Sequence, residues 1–306
     1  MYRKVNILRQ IIFYCVMVTI TLLSTINLSN SSLTQEEIQE KINFFRPAIQ
    51  KMIANDIDSN FIYSIFSHPD INFNEKYIKI NVTGYLKKTD YSDFYNEKSV
   101  RESLEFMEDN AEKLAECEQK YKIPKEVITA IIWIESKHGN YLGDNNILSV
   151  YLSTAMADLD EYIELNKQLL RKDFQGNEQE LAELDKKIES RAVKKAKWAV
   201  NELKCLSKIQ NTGMMDIFKL SGSWAGAFGL TQFLPSSYLR CAVDGNNDNI
   251  IDLYNVDDAI CSVANYLKMA GWSNSPEDKR KAIHSYNNSN DYVNAVLTLT
   301  DKLSTH

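Results

Sequence analysis

Apolar positions recur at helical spacing along most of the chain. Val100, Leu104, Met107, Ala111 and Leu114 fall at steps of three or four, which predicts helix from Glu97 to Tyr121. Thr34 and Glu37 have capping-box spacing and open a helix through Asn55, with Pro47 kinking or ending its first part. A short helix over 58–66 runs into a turn at "SHPD". In "YIKINVT", Ile78, Ile80 and Val82 alternate with Lys79, Asn81 and Thr83, the period of a strand or extended segment. Helical patterning returns in "PSSYLRCAV", from Val256 to Met269, and in an amphipathic stretch that closes the chain.

Two stretches depart from amphipathic patterning. Residues 124–138 are apolar on nearly every side, with Pro124 suited to a first turn and Gly139 to a stop. That composition predicts a central buried helix. In "VITAIIWIESKHG" the apolar run meets a carboxylate, Glu135. A buried, unpaired carboxylate is costly and responds by raising its pKa. By contrast, residues 150–210 read as a charged helical arm with a thin apolar stripe, bent at "KDFQGNE". Arg191, Lys194, Lys195 and Lys197 could grip an anionic polymer there, though a solvated helix face is the simpler reading. Between arm and C-terminus, "SGSWAGAFGL" clusters Gly222, Gly226 and Gly229, which permits tight turns and close approach of a ligand.

Composition changes this picture modestly. The 306 residues are 44% hydrophobic and 25% charged, with only ten Gly and five Pro, as suits a mostly helical globular chain. A net charge of −6 does not suggest a nucleic-acid-binding protein. Arg3, Lys4 and Arg9 precede an apolar run from Ile11 to Leu23, followed by Ser24, Ser29, Ser31 and Ser32. This is the layout of a secretory signal or, if uncleaved, a membrane anchor, and places the body in the periplasm or cell envelope. Cys117, Cys205, Cys241 and Cys261 lack zinc spacing; in an exported protein they can form disulfides, and Cys241–Cys261 is the first pairing to expect.

Four segments carry a resemblance: "IIWIESKHGNYLGDNNIL", "GSWAGAFGLTQFLPSSY", "AVDGNNDNIIDLYNVDDAICSVANYL" and "SYNNSNDYVNAVL". In order and texture they resemble the lytic murein transglycosylase B family, over most of residues 35–303. The resemblance implies a mainly α, α+β lysozyme-like fold: a helical core with a small sheet or extended segment, an inserted arm and an EF-hand-like loop. It implies one unit over 31–303. Within it, 31–123 form an N-terminal helical part, 124–149 and 211–303 the catalytic core, and 150–210 the arm; residues 1–30 are the leader. It implies non-hydrolytic cleavage of the β-1,4 MurNAc–GlcNAc bond of peptidoglycan, leaving 1,6-anhydroMurNAc ends. Glu135 matches the family's catalytic glutamate. Ser223 and Gln232 match polar residues near it, Phe233 a residue of the saccharide groove, and Tyr286–Asn287 a pair across the cleft. The family's arginine pair after a tyrosine–proline is not found here.

The loop 244–258 has its own logic. Asp244, Asn246 and Asp248 occupy positions 1, 3 and 5 of an EF-hand-like loop, and Ile250 offers a carbonyl at position 7. Asn249 replaces the usual glycine at position 6, and Asn255 the glutamate at position 12. The family uses an acidic ligand three places later, where Asp258 stands. A structural Ca2+ is therefore expected, against a metal-free Asn/Asp turn; the chemistry itself calls for no cofactor. Rival functions are a goose-type-lysozyme-like hydrolase and a non-catalytic peptidoglycan-binding protein. Product mass separates the first, and retention of Glu135, Ser223 and Gln232 weighs against the second.

Overall fold

The structure, a computed structural model, describes residues 33–306 except 87, 88, 173 and 214; the leader expected at 1–30 lies outside the described residues. The chain is mostly helical. α1 (Gln35–Phe44) and α2 (Arg46–Ala54) follow the Thr34–Glu37 capping box, with the break at Phe45 and Pro47 in the first turn of α2. α3 (Ser59–Ser67) is capped by Asp58. The segment expected to be extended is instead a helix, α4 (Glu75–Thr83), capped by Asn74. Its buried residues are Tyr77, Ile78, Asn81 and Val82, a helical stripe that overrides the chance alternation of isoleucine and polar residues. The pattern from Glu97 to Tyr121 divides at Asn110 into α5 (Glu97–Asp109) and α6 (Ala111–Tyr121).

α7 (Lys125–Ser136) is the central helix. From Val127 to Ile134 every residue is buried, and α7 packs on α5, α6, α12 (Val256–Met269) and α14 (Asn290–Leu303). α8 (Ile147–Thr154) is buried throughout and runs through the boundary expected at 150, so the arm begins after it. The arm proper is α9 (Asp160–Arg171) and the 35-residue α10 (Glu178–Thr212), the latter opened by an Asn177–Glu180 capping box. The C-terminal half of α10 buries Ala196, Ala199, Val200, Leu203 and Leu206 against α8 and α11 (Pro235–Cys241), so the arm is rooted in the core. α13 (Pro276–Tyr286) precedes α14.

The small sheet does exist, in another place. β1 (Asn145–Asn146) pairs antiparallel with β2 (Ser221–Gly222), joining the segment after α7 to the glycine loop. The disulfide is Cys117–Cys261 rather than Cys241–Cys261: α6 and α12 lie side by side, with the two Cα atoms 5.6 Å apart. Cys205 and Cys241 are free thiols. Among the described residues no helix is long and apolar enough to cross a membrane.

Candidate active site

Glu135 sits on the last turn of α7, where the chain stops being helical for local reasons. Lys137 and His138 adopt left-handed backbone and Gly139 has φ +94°, so the chain turns sharply away. Ser136 Oγ donates to Leu230 O at 2.8 Å and accepts from Gly139 N at 3.0 Å, which ties this end of α7 to the glycine loop. Glu135 is half-buried as a residue, with its carboxyl recessed in the surrounding packing. Desolvation by the surrounding packing raises its pKa from 4.5 to about 7. The Tyr292 hydroxyl, donating to Oε1 at 2.6 Å, pulls it the other way. No charged neighbour among the described residues contributes, so at neutral pH the carboxyl is poised between its acid and base forms.

Tyrosines surround this carboxyl. Tyr292, on α14, is 1% exposed and stacks on Tyr286, with ring centroids 6.5 Å apart and planes 11° from parallel. Tyr91 meets Tyr292 edge-on at 6.0 Å. Burial first, then the charge of Glu135, pushes the hydroxyls of Tyr286 and Tyr292 well above the ordinary tyrosine range, so both remain donors. A depression of about 430 Å³ opens beside Tyr91, lined by Thr89, Asp90, Tyr95, Asp291 and Asn294 among others. Its hydroxyls, amide and carboxylates are groups that bind sugar hydroxyls.

The glycine loop is tied to this group of tyrosines through Tyr286. Phe228 and Phe233 exchange backbone hydrogen bonds of 3.0 and 3.1 Å, closing a tight hairpin over 228–233. Gly226, at φ +84°, leaves no room for a side chain: a Cβ there would lie 2.4 Å from Tyr151 Cζ. Ser223 Oγ accepts from Ala225 N (3.3 Å) and Ala227 N (3.1 Å) and so holds the turn. Gln232 has left-handed backbone, φ +48°, unusual for a residue with a side chain. Its Nε2 donates to Leu142 O at 3.2 Å and Gly229 O at 3.0 Å, linking the hairpin to the segment after α7. Tyr286 donates to Thr231 O at 2.6 Å and pins the hairpin tip against α13.

Of the sequence-predicted residues, Glu135 is linked through Tyr292 to Tyr286, and Tyr286 to Phe233 and to the hairpin that carries Gln232. Neither Ser223 nor Gln232 bonds Glu135; Tyr292 orients it instead, a residue inside a quoted segment that sequence reasoning passed over. Phe233 is 2% exposed and packs against Tyr266 and Tyr286 at 5.6 and 5.7 Å. It supports Tyr286, and the groove-facing role expected of it gives way to that. Asn287 follows α13 as its C-cap, with its side chain half-buried beside Tyr286.

The loop before α12 is a web of side-chain-to-backbone bonds. Asp244 accepts from Asn247 N (2.6 Å) and Asn249 N (2.8 Å), Asp248 from Ile250 N (2.7 Å), and Asn246 from Asp248 N (3.0 Å). Asn247 and Asn249 take left-handed backbone, so Asn249 does serve in the glycine position. Asp258 is 1% exposed and accepts from Gly245 N (2.7 Å) and Asp252 N (2.6 Å). Burial raises its pKa, and the charge of Asp244 adds to that rise. Among the described residues no three His, Cys, Asp or Glu side chains gather closely enough to hold a metal unaided. Asp244 and Asp258 lie near enough for their charges to repel, and oxygen donors of this kind in one loop suit a hard cation, which would relieve that repulsion.

Comparison with known proteins now bears on the cleft. The membrane-bound lytic murein transglycosylase B of Escherichia coli strain K12 is 30% identical over 179 residues, an alignment covering 58% of this chain and 40% of that relative. Soluble lytic transglycosylase SltB1 of Pseudomonas aeruginosa matches in structure with a TM-score of 0.64 at 19% identity, over 86% of this chain and 98% of that one. SltB3 of the same organism, in complex with NAG-anhNAM-pentapeptide, gives 0.64 at 20% identity over 89% and 80%. Escherichia coli Slt35 in complex with calcium gives 0.55 at 20% identity over 89% and 92%. At these identities the structural matches establish the shared fold. The transglycosylase SLT domain matches residues 43–277, more than half of the chain, and the protein belongs to that family.

Proposed function

We propose that this protein is a lytic transglycosylase that cleaves the β-1,4 MurNAc–GlcNAc bond of peptidoglycan without water. The carrying observation is Glu135: a recessed carboxyl, raised to about 7 by burial and held by one tyrosine hydroxyl, with no second carboxylate among the causes of its shift. Two-carboxylate glycosidases need an acid and a base or nucleophile. Here the substrate's 2-acetamido oxygen supplies the second group by attacking C1. Protonated Glu135 gives its proton to the glycosidic oxygen as the C1–O bond breaks. The resulting carboxylate then takes the proton of the C6 hydroxyl as that oxygen bonds to C1, displaces the acetamido oxygen and closes the 1,6-anhydro ring. Glu135 ends protonated, ready for another turn.

The remaining residues position these steps. Tyr292 aims the carboxyl, Tyr286 and Asn287 form the opposite wall, and Gln232 and Ser223 fix the glycine loop. In the 244–258 loop, Asp244, Asn246, Asp248, Asp258 and the Ile250 carbonyl would hold a structural Ca2+, which would brace the start of α12. The basic-then-apolar leader at 1–30 supports export to the cell envelope, with or without a membrane tether. Digestion of purified peptidoglycan followed by mass spectrometry tests the reaction. Anhydro ends, one water lighter than hydrolytic ends, are expected; reducing ends alone would assign a hydrolase.

A further inference from the structure

The long helix of the arm, α10, also reaches the exit of the glycine loop. Glu202, on α10, is 2% exposed and forms no ion pair among the described residues. Burial raises its pKa, against the hydrogen bonds it accepts. A carboxyl taken out of water with no cation beside it is a net cost unless its oxygens are put to use. Here Oε2 accepts from Ser236 N at 2.8 Å. Ser236 is the second residue of α11, and α11 has no side-chain cap of its own: Leu234 stands at the N-cap, and Pro235 after it has no N–H. Glu202 supplies from a neighbouring helix the acceptor that Ser, Asp or Asn supplies locally at other helix starts.

The entry of the loop is held one turn back along the same helix. Trp198 precedes Glu202 by four residues, so the two share a face of α10. Trp198 meets Tyr151 of α8 edge-on at 5.4 Å. Tyr151 is fully buried, and its hydroxyl donates to Gly226 O at 2.8 Å. After burial, the charge of Glu202 is the next cause of the raised pKa of that hydroxyl, so carboxyl and phenol are near neighbours. Between Gly226 and Ser236 lies the 228–233 hairpin, with Gln232 in left-handed backbone and Thr231 O accepting from Tyr286. Tyr286 stacks on Tyr292, which holds Glu135. A hairpin with a side-chain-bearing residue at φ +48° is strained and keeps its shape only while its surroundings fix it.

We propose that Glu202 is a positioning residue for the reaction: with Tyr151 it clamps the hairpin where Tyr286 and Tyr292 set the Glu135 carboxyl. The assignment rests on Glu135 being the group that cleaves the glycan. Glu202 acts through Ser236 and the hairpin alone, and this use of its oxygen offsets the cost of burying an acid in the root of the arm.

The test compares Glu202→Gln, which keeps an oxygen for Ser236 N, with Glu202→Ala, which removes it. Ile188→Ala is the control: it cuts a fully buried side chain from the same helix, about 21 Å along the axis from Glu202, and so weakens the arm without touching the loop. Bond breakage in soluble glycan strands is counted by chromatography, below the melting temperature of every variant. In Glu202→Ala kcat is expected to fall roughly tenfold, the scale of one lost hydrogen bond to a carboxyl, with KM unchanged. Glu202→Gln should recover wild-type kcat, and Ile188→Ala should keep it while melting lower. A Gln variant as slow as the Ala variant, or an equal loss of kcat in Ile188→Ala, would overturn the assignment. Tyr151→Phe removes one hydroxyl and no packing, and carries the test at the Gly226 end if Glu202→Ala does not fold. A roughly tenfold fall in kcat with KM unchanged is expected there too; wild-type kcat would overturn the clamp. Glu135→Gln separates the two readings. If it still cleaves strands, the role given to Glu135 fails; if it is inactive while Glu202→Ala and Tyr151→Phe both match the wild type, the clamp alone fails.

Discussion

Replacing Glu135 by Gln should abolish turnover and, above neutral pH, make the protein more stable. A carboxyl whose pKa rises from 4.5 to about 7 on folding is protonated in both states below 4.5, so it brings no penalty there. Between the two values the unfolded chain ionises while the native protein keeps its proton, and stability falls as pH rises. Above 7 both are ionised and the loss is complete. At 1.36 kcal/mol per pKa unit the loss is about 3 kcal/mol, and about 2 once the residue's partial exposure is allowed for. Gln fits the same space, and its Oε1 still accepts from Tyr292, so it should avoid the loss. For a domain of this size that amounts to roughly 4–8 °C in melting temperature. Thermal melts of both proteins at pH 4 and pH 8 read it directly. The curves should coincide at pH 4, with the Gln variant melting higher at pH 8. A constant offset, or a Gln variant that is weaker at pH 8, would refute the desolvated-carboxyl reasoning.

Three further outcomes follow from the geometry. Tyr292→Phe removes the hydroxyl that lowers the Glu135 pKa, so the alkaline limb of the kcat/KM profile should move up in pH while the maximum falls roughly tenfold. Chelation should lower the melting temperature of the wild-type protein but not of Asp258→Ala; for a cation at a hundred times its Kd the stabilisation removed is about 2.7 kcal/mol. Cys117→Ser opens a disulfide that spans 144 positions, and should cost about 5 kcal/mol by chain entropy, read by denaturant melts under non-reducing conditions.

How legible this was in the sequence depended on where the constraint lay. α7 and Glu135 were plain because a helix apolar on all sides can only be central, and a carboxylate at its end needs a reason. The α4 segment misled because three isoleucine or valine residues two apart mimic a strand, whereas burial of the pair Tyr77–Ile78 and again Asn81–Val82 is helical and visible only in the packing. The boundary expected at 150 divided α8 because nothing inside its eight residues reports which side they pack against; its full burial is a tertiary fact. The disulfide joins α6 to α12, and no local signal reports which distant helices lie side by side. The segments carrying the cleft could be named, yet not who touches whom: Phe233 packs under Tyr286, and Tyr292, six residues after Tyr286, reaches Glu135.

The direct test of the central claim is the titration of Glu135 itself. Carbon NMR of protein labelled at glutamate side-chain carboxyls, with Glu135→Gln to assign the resonance, gives its pKa in the intact protein. A midpoint near 7, moving higher in Tyr292→Phe, is the result expected. A midpoint near 4.5, indifferent to Tyr292, would leave the protein without the neutral acid on which the reaction depends.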